Sequence, residues 1–500
     1  MINLERLTLA ELNRKASAKF RNRLAFATYR EGHIYNRITY REWGIRTRQF
    51  GGLLRTLGLD TGDRVMILAE NRPEWPIAYF GAALGGFVSV PVLPDCSSEQ
   101  IKAIGDHAGI AALCITEKTS PKLAHAGFDP AIPLIYIDTS TETISEQGST
   151  AASILVSIHG RKKQLPLWQG GFCKEPESWF PEIQEEDLAS ILYTLGTTGC
   201  SKGVMFSHRN LFFTAQASCS LMNIFPRDRL LSVIPLAHAY ECTLGLLAAV
   251  MSGASITYLD RPPVPAVLLS AIQALRPTVM VTVPSFIENL YCHRIAPALK
   301  ANPLYQFPLT RFLAIKIAGY KLMATLGSSV RFFGIGGGSL SHEVETFLRK
   351  VQLPYAPAYG LAETVPFVAG TEPYRFPFGS VGKPLKGIEF RLLSLTGKGV
   401  LGSPGTTVDS RYTEGEIQVR GPQVTAGYYR DSESTREAFT ADGWFRTGDV
   451  GFLDPTGHLF IRGRPKAMIL GPLEERSDLE DIEEILMAST LREDALVYPR

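Results

Sequence analysis

The stretch ILYTLGTTGCSKGVMFSH, residues 191–208, decides how the rest of the chain is read. A strand-like apolar run enters Gly196-Thr197-Thr198-Gly199, then Lys202-Gly203, and a second apolar run follows. Glycines let a backbone approach a ligand closely. Threonine hydroxyls and loop N–H groups suit phosphate oxygens, and a lysine adds a point charge. The same residues also describe a plain Gly/Thr turn between two strands. The spacing is not that of a P-loop, which requires G-x-x-x-x-G-K-[ST].

Working outward, strands and helices alternate. Residues 5–60 read as largely helical, interrupted by the strand-like Ile38-Thr39-Tyr40. GDRVMILAEN (62–71) reads as a loop and buried strand, Pro73 to Gly86 as a helix, and FVSVPV (87–92) as the next strand. The rhythm returns at 186–210, 231–258 and 279–283, which predicts an α/β fold, a parallel sheet with helices on both faces. Residues 139–181, rich in Ser, Thr, Gly and Gln, predict a surface loop or insertion. From about 375 to 463, short strands punctuated by Gly and Pro predict a β-rich subdomain. Beyond Arg464 a further unit begins, with Ser477 as a helix N-cap, Glu480 as its capping-box partner, a helix through about Ser489 and a strand from Ala495 to Tyr498.

The 500 residues, 45% apolar and 20% charged, are globular in composition and enough for about three compact units, which excludes a disordered chain. With 51 basic and 49 acidic residues, the net charge of +2 exerts no pull toward nucleic acid. The seven cysteines are irregularly spaced without C-x-x-C and read as free thiols in a reducing compartment. The charged N-terminus lacks a signal-peptide pattern, and the apolar stretch Cys242 to Leu259 is interrupted by Ser252, Gly253 and Ser255. A cytoplasmic protein is expected, with peripheral contact at the inner membrane face as an added candidate. That contact rests on 289–331, where Arg294, Lys300, Arg311, Lys316, Lys321 and Arg331 occur with no acidic residue. Such a stretch suits anionic lipid headgroups or other phosphate groups. Yet Arg311, Lys316 and Lys321 are about 140° apart on a helix and form no single basic face, so a solvated surface stays open as the alternative.

Further motifs follow in order. They are IPLAHAYE (234–241), GIGGGSLS (334–341), AYGLAETVP (358–366) and GWFRTGDVGFLDPTGHLFIRGRPK (443–466). Together with YTLGTTGCSKGV, which resembles YTSGTTGxPKGV, they make the chain resemble the adenylate-forming (AMP-binding) superfamily over about residues 25–486. IPLAHAYE resembles the PLxHxYE segment of its long-chain fatty-acid–CoA ligases. The resemblance implies a large AMP-binding domain over 1–463, built from two doubly wound α/β subdomains and a small β-barrel-like one. Residues 464–500 would be a hinge and the start of the C-terminal α+β lid.

The resemblance also assigns roles. Thr194, Gly196, Thr197, Thr198, Gly199 and Lys202 would hold the β- and γ-phosphates of ATP. Tyr359 would stack on adenine in a pocket lined by Gly336, Gly337 and Gly338, with Gly360 and Thr364 among the nucleotide contacts. Glu363 would bind Mg²⁺, a hard carboxylate suiting a hard cation. Asp449 would accept from both ribose hydroxyls, although its surroundings also suit a polar turn. Arg464 would reach the ribose or phosphate, and Lys466 would mark the hinge. His238, with Glu241, would border the carboxylate and acyl pocket, with a satisfied core histidine as the plain alternative. That pocket's wall is expected to draw on 279–290 and 334–340.

The implied reaction joins a long-chain fatty acid to AMP and then to CoA, with Lys202, Glu363 and His238 as catalytic candidates. Several positions depart from the pattern. Leu195 replaces a serine, Ser201 a proline and Ala362 a threonine, and Glu474-Glu475-Arg476 falls where a turn glycine is expected. No lysine follows Lys466, whereas the family lid carries a late lysine used in adenylation. Thioester formation by this chain is therefore expected to be impaired. Two other readings remain: a non-catalytic nucleotide- or acyl-binding relative, and one half of a split ligase whose lid is a separate chain.

Overall fold

Two large sheets carry the strands expected from the alternating pattern. The computed structural model describes residues 2, 4–144, 150–166, 180–194, 202–395, 399–402, 414–464, 468–470 and 476–478. An eight-stranded sheet has the strand Arg64–Leu68 at its centre, paired in parallel with Val88–Val92 on one side and Ile110–Ile115 on the other. The former runs parallel to Leu188–Thr194, which turns back antiparallel into Lys202–Ser207 at the edge. These central strands are almost wholly buried apolar runs, as a sheet covered on both faces requires.

The opposite edge corrects an expectation. Residues 139–181 were expected as loop or insertion, but strands Leu134–Ile144, Thr150–Ile158 and Arg161–Pro166 extend the sheet antiparallel through much of that span. Ile154, Val156 and Ser157 are buried in the inner of these strands, while residues 161–164 of the outer one are exposed and polar, a composition that reads as loop. The strand Leu24–Arg30, inside the segment read as largely helical, was also missed.

The second, nine-stranded sheet runs parallel through Leu24–Arg30, Ser255–Leu259, Arg229–Leu231, Val279–Thr282, Phe332–Ile335 and Tyr355–Tyr359, with antiparallel strands at both edges. One core cluster joins both sheets, taking Val65 and Ile67 from the first and Ile256, Tyr258 and Val279 from the second. The helix Glu74–Leu84, apolar all round, is buried within that cluster. The stretch from Cys242 is a buried helix leading to a buried strand, as read.

A separate five-stranded antiparallel sheet spans Glu389–Ser394 to Leu459–Gly463 around Phe390, Ile417, Val419 and Phe445. Ser477, expected as a helix N-cap, lies instead in the short strand Arg476–Asp478 opposite Ile469. The helix expected after it lies outside the described residues. No described helix is long and apolar enough to cross a membrane.

Candidate active site

The parallel strands of the second sheet end at one rim, where the chain must turn. There Tyr359 closes the strand Tyr355–Tyr359, and Gly336–Gly338 follow the strand Phe332–Ile335. Ligands of open α/β sheets gather at such carboxyl ends. The five-stranded sheet faces this rim and supplies Asp449 from the strand Phe445–Leu453.

Asp449 is buried, and its two oxygens divide their partners. Tyr359 Oη donates to Oδ2 at 2.6 Å, and Arg464 Nε donates to Oδ1 at 2.9 Å. The Asp449 N–H is held by Thr447 Oγ1, which itself donates to Ile417 O, so the carboxylate rests on the sheet rather than on a free turn. Burial and the adjacent Asp449 carboxylate push the Tyr359 phenol well above its ordinary pKa. The hydrogen bond to Asp449 raises that of Arg464.

A second cluster joins Glu363, Lys202 and Tyr428. Tyr428 Oη donates to Glu363 Oε1 at 2.8 Å, and Lys202 Nζ stands 4.9 Å from the centre of the Tyr428 ring. Glu363 Oε2 has no hydrogen-bond partner among the described residues. Backbone bonds stitch these elements together. Tyr429 N–H donates to Gly203 O, Met205 N–H to Gly427 O and Thr425 N–H to Glu363 O. The helix after the Lys202–Ser207 strand begins with a capping box, Ser207 with Asn210, and Asn210 Nδ2 reaches Pro422 O and Val424 O. Tyr428 was absent from the sequence reading, because nothing near it in sequence carries recognisable chemistry.

A cavity of about 390 Å³ adjoins these clusters and brings together Thr194, His238, Gly336, Gly337, Gly360 and Ala362. Tyr359, Lys202, Glu363, Asp449 and Arg464 do not line it. Two glycines are sterically required. A Cβ on Gly360 would run into Pro366 O, and one on Gly336 would stand 2.9 Å from Tyr240 Cζ. The Tyr240 ring thus packs on the glycine strand, and its buried hydroxyl has no hydrogen-bond partner among the described residues. His238 keeps surface open to this cavity, while partial burial lowers its pKa below the ordinary value. Its Nδ1 accepts from Tyr240 N–H. Glu241 is buried, and burial raises its carboxyl to about 8, partly offset by Ser232. It packs against Gly245 and does not line the cavity.

One assignment is corrected. Thr364, expected among the nucleotide contacts, is buried, and its hydroxyl both accepts from Leu361 N–H and donates to Leu361 O. Its side chain holds the turn that aims Glu363. The assignments to Gly196, Thr197, Thr198 and Gly199, with Leu195 and Ser201, lie outside the described residues, as do Lys466, Glu474 and Glu475. Their flanks are described: Thr194 pairs directly with Lys202, which brings the two ends of the loop together.

A larger cavity of about 590 Å³ is lined by Val233, Ile234, Leu268, Leu269, Thr282, Val283, Phe286 and Leu290, with exposed His293 and Arg294. The 279–290 expectation meets this cavity, whereas the glycines of 334–340 line the smaller one. The contribution of Pro265–Leu275 was not foreseen. The two cavities are neighbours. Val283 lines the larger, and its Cγ1 lies 3.8 Å from where a Cβ on Gly337 would stand.

Residues 13–429 match the AMP-binding enzyme family, and the chain belongs to it. It is 31% identical to long chain acyl-CoA synthetase 7, peroxisomal, of Arabidopsis thaliana, over 86% of this chain and 62% of that protein. It therefore spans less than two thirds of that relative's length. It is 28% identical to the long-chain-fatty-acid–CoA ligase FadD15 of Mycobacterium bovis, over 87% of this chain and 71% of that protein. The crystal structure of ATP-bound MatB from Rhodopseudomonas palustris superposes with a TM-score of 0.72 at 23% identity, covering 96% of this chain and 83% of that one. The mixed α/β fold is thus that of the N-terminal domain of adenylate-forming enzymes.

Proposed function

We propose that this chain activates a long-chain carboxylic acid with ATP. The carboxylate oxygen attacks the α-phosphorus, pyrophosphate leaves, and an acyl adenylate forms. A CoA thiol then attacks the acyl carbonyl and AMP leaves. The observation that carries the reading is the adjacency of two chemically opposite spaces. The polar rim of Asp449, Tyr359, Arg464, Glu363 and Lys202 stands beside a glycine-walled cavity, and Gly337 of that cavity approaches Val283, which lines a mostly apolar one.

In this reading adenine lies against Tyr359 and the Gly336–Gly338 backbone, and the ribose hydroxyls donate to Asp449. The phosphates lie in the loop bounded by Thr194 and Lys202. Glu363 suits Mg²⁺, because Oε2 is uncommitted and such an ion is usually held by one or two carboxylates together with substrate phosphates and water. The ion would supply charge neutralisation at the phosphates. Lys202 neutralises charge on the leaving phosphates, and its ammonium lies over the ring of Tyr428, whose hydroxyl is bonded to Glu363. His238 faces the small cavity where the acid's carboxyl end would sit.

The names of the relatives support a long-chain acid, and the 590 Å³ cavity lies within the usual range of small-molecule sites, about 300–1,000 Å³. Pyrophosphate exchange with acids from acetate to palmitate, plus an aromatic acid, tests the reading. Affinity should rise with length, by up to about fourfold per buried methylene. A preference for acetate or the aromatic acid overturns the substrate assignment. AMP binding with no exchange for any acid favours the non-catalytic binding relative.

A further inference from the structure

We propose that the face of helix Pro308–Thr325 docks on an anionic phospholipid surface. Leu309, Phe312, Leu313 and Tyr320 project from this helix with exposures from 41% for Leu313 to 89% for Leu309, and Phe307 at its N-cap is 64% exposed. At 3.6 residues per turn the four helical positions fall within about 100° of arc, so they form one stripe. Most soluble surfaces expose large apolar side chains singly rather than aligned in this way.

The charges around the stripe identify its partner. Lys316 lies within the arc and Lys321 to one side, and both are exposed, as are Arg294 and Lys300 on the preceding helical segment. None of these four has an ion-pair partner among the described residues, and no acidic residue occurs from 289 to 331. The carboxylates that approach Tyr291 and Cys292 are occupied, Glu343 by Tyr291 Oη and Glu288 by Ser341 N–H. A protein partner would need its own rows of apolar and acidic groups. A bilayer with anionic headgroups offers both across a plane. Lysine stems can lie along the apolar stripe while their ammonium groups reach the headgroups. The helix is not apolar enough to span a membrane, so it lies in the interfacial plane.

The inner side of the helix adds an orientation. Ala314, Lys321 and Leu322 line a groove with Leu290, Arg294 and Leu299. Leu290 and Arg294 also line the 590 Å³ cavity. Docking would therefore hold the groove and this side of the larger cavity near the lipid.

Vesicle co-sedimentation of the full chain tests the proposal, using phosphatidylcholine alone and phosphatidylcholine mixed with phosphatidylglycerol. Wild-type protein should prefer the anionic vesicles and lose affinity as salt is raised. Leu309→Ser with Phe312→Ser should lower partitioning at least about tenfold, and Lys316→Glu with Lys321→Glu should abolish the anionic preference. All four positions are exposed, so thermal unfolding should stay at the wild-type midpoint. As a gain-of-signal variant, Phe312→Trp should become quenchable by brominated lipid. Equal partitioning of wild type and both double variants overturns the proposal. So does a concentration-dependent dimer, dissolved by Leu309→Ser with Phe312→Ser, in a protein that ignores vesicles; the face would then join two copies of the chain.

Discussion

Replacing Asp449 by Asn tests the nucleotide site with little change of shape. An ionised carboxylate offers about four lone-pair positions. Tyr359 Oη occupies one on Oδ2 and Arg464 Nε one on Oδ1, which leaves one on each oxygen for two neighbouring ribose hydroxyls. Asparagine keeps one acceptor oxygen and turns an NH₂ donor toward a group that is itself a donor. One ribose hydroxyl thereby loses a charged acceptor, worth about 1.5–3 kcal/mol, or roughly 10–150-fold in affinity. Asp449→Ala removes both acceptors and should bind still more weakly. Stability should fall less. The amide oxygen can keep accepting from Tyr359 Oη, which turns the NH₂ toward the Arg464 side chain, and that side chain, 62% exposed, contributes little. Calorimetric titration with AMP separates the two effects, with thermal unfolding run in parallel. Equal AMP affinity in wild type, Asn and Ala proteins would falsify the placement of ribose at Asp449.

Two further outcomes are expected. Tyr428→Phe removes the hydrogen bond to Glu363 but keeps the ring under Lys202; it should weaken ATP binding in the presence of Mg²⁺ by about tenfold and leave AMP affinity near wild type, and an equal loss for both ligands would mean that Tyr428 acts only on the fold. Burial raises Glu241 from 4.5 to about 8 in the folded chain, so the native state binds the extra proton; the contribution of Glu241 to stability should be fully present below about 4.5 and be lost as pH rises toward 8, Glu241→Gln should remove that component of the slope, and parallel stability–pH curves for the two proteins would show that Glu241 is not the group responsible.

Much of this protein is legible in one dimension. The central strands read as apolar runs because a sheet covered on both faces needs no polar alternation, as in Arg64–Leu68 and Val88–Val92. The motifs holding Tyr359, Glu363 and Asp449 are legible for a related reason: a turn such as Gly360, closed against Pro366 O, tolerates few residues and so carries a local signature. The edge strand escaped that reading, since Arg161–Pro166 carries the polar run Arg161-Lys162-Lys163-Gln164, which mimics a loop, and only the neighbouring strand supplies its hydrogen bonds.

Tertiary structure alone decided which groups meet. Tyr428 lies 65 residues from Glu363, and no local pattern announces that its hydroxyl ends on that carboxylate. Thr364 reads as a ligand beside Glu363 until the turn claims its hydroxyl. The stripe on Pro308–Thr325 has the apolar spacing of any core helix, and whether such a face is buried depends on what else in the fold packs against it. Sequence sets the local preferences of backbone and side chain. Burial, hydrogen-bond partners and the proximity of distant segments are properties of the folded chain, because each depends on neighbours that the linear order does not place side by side.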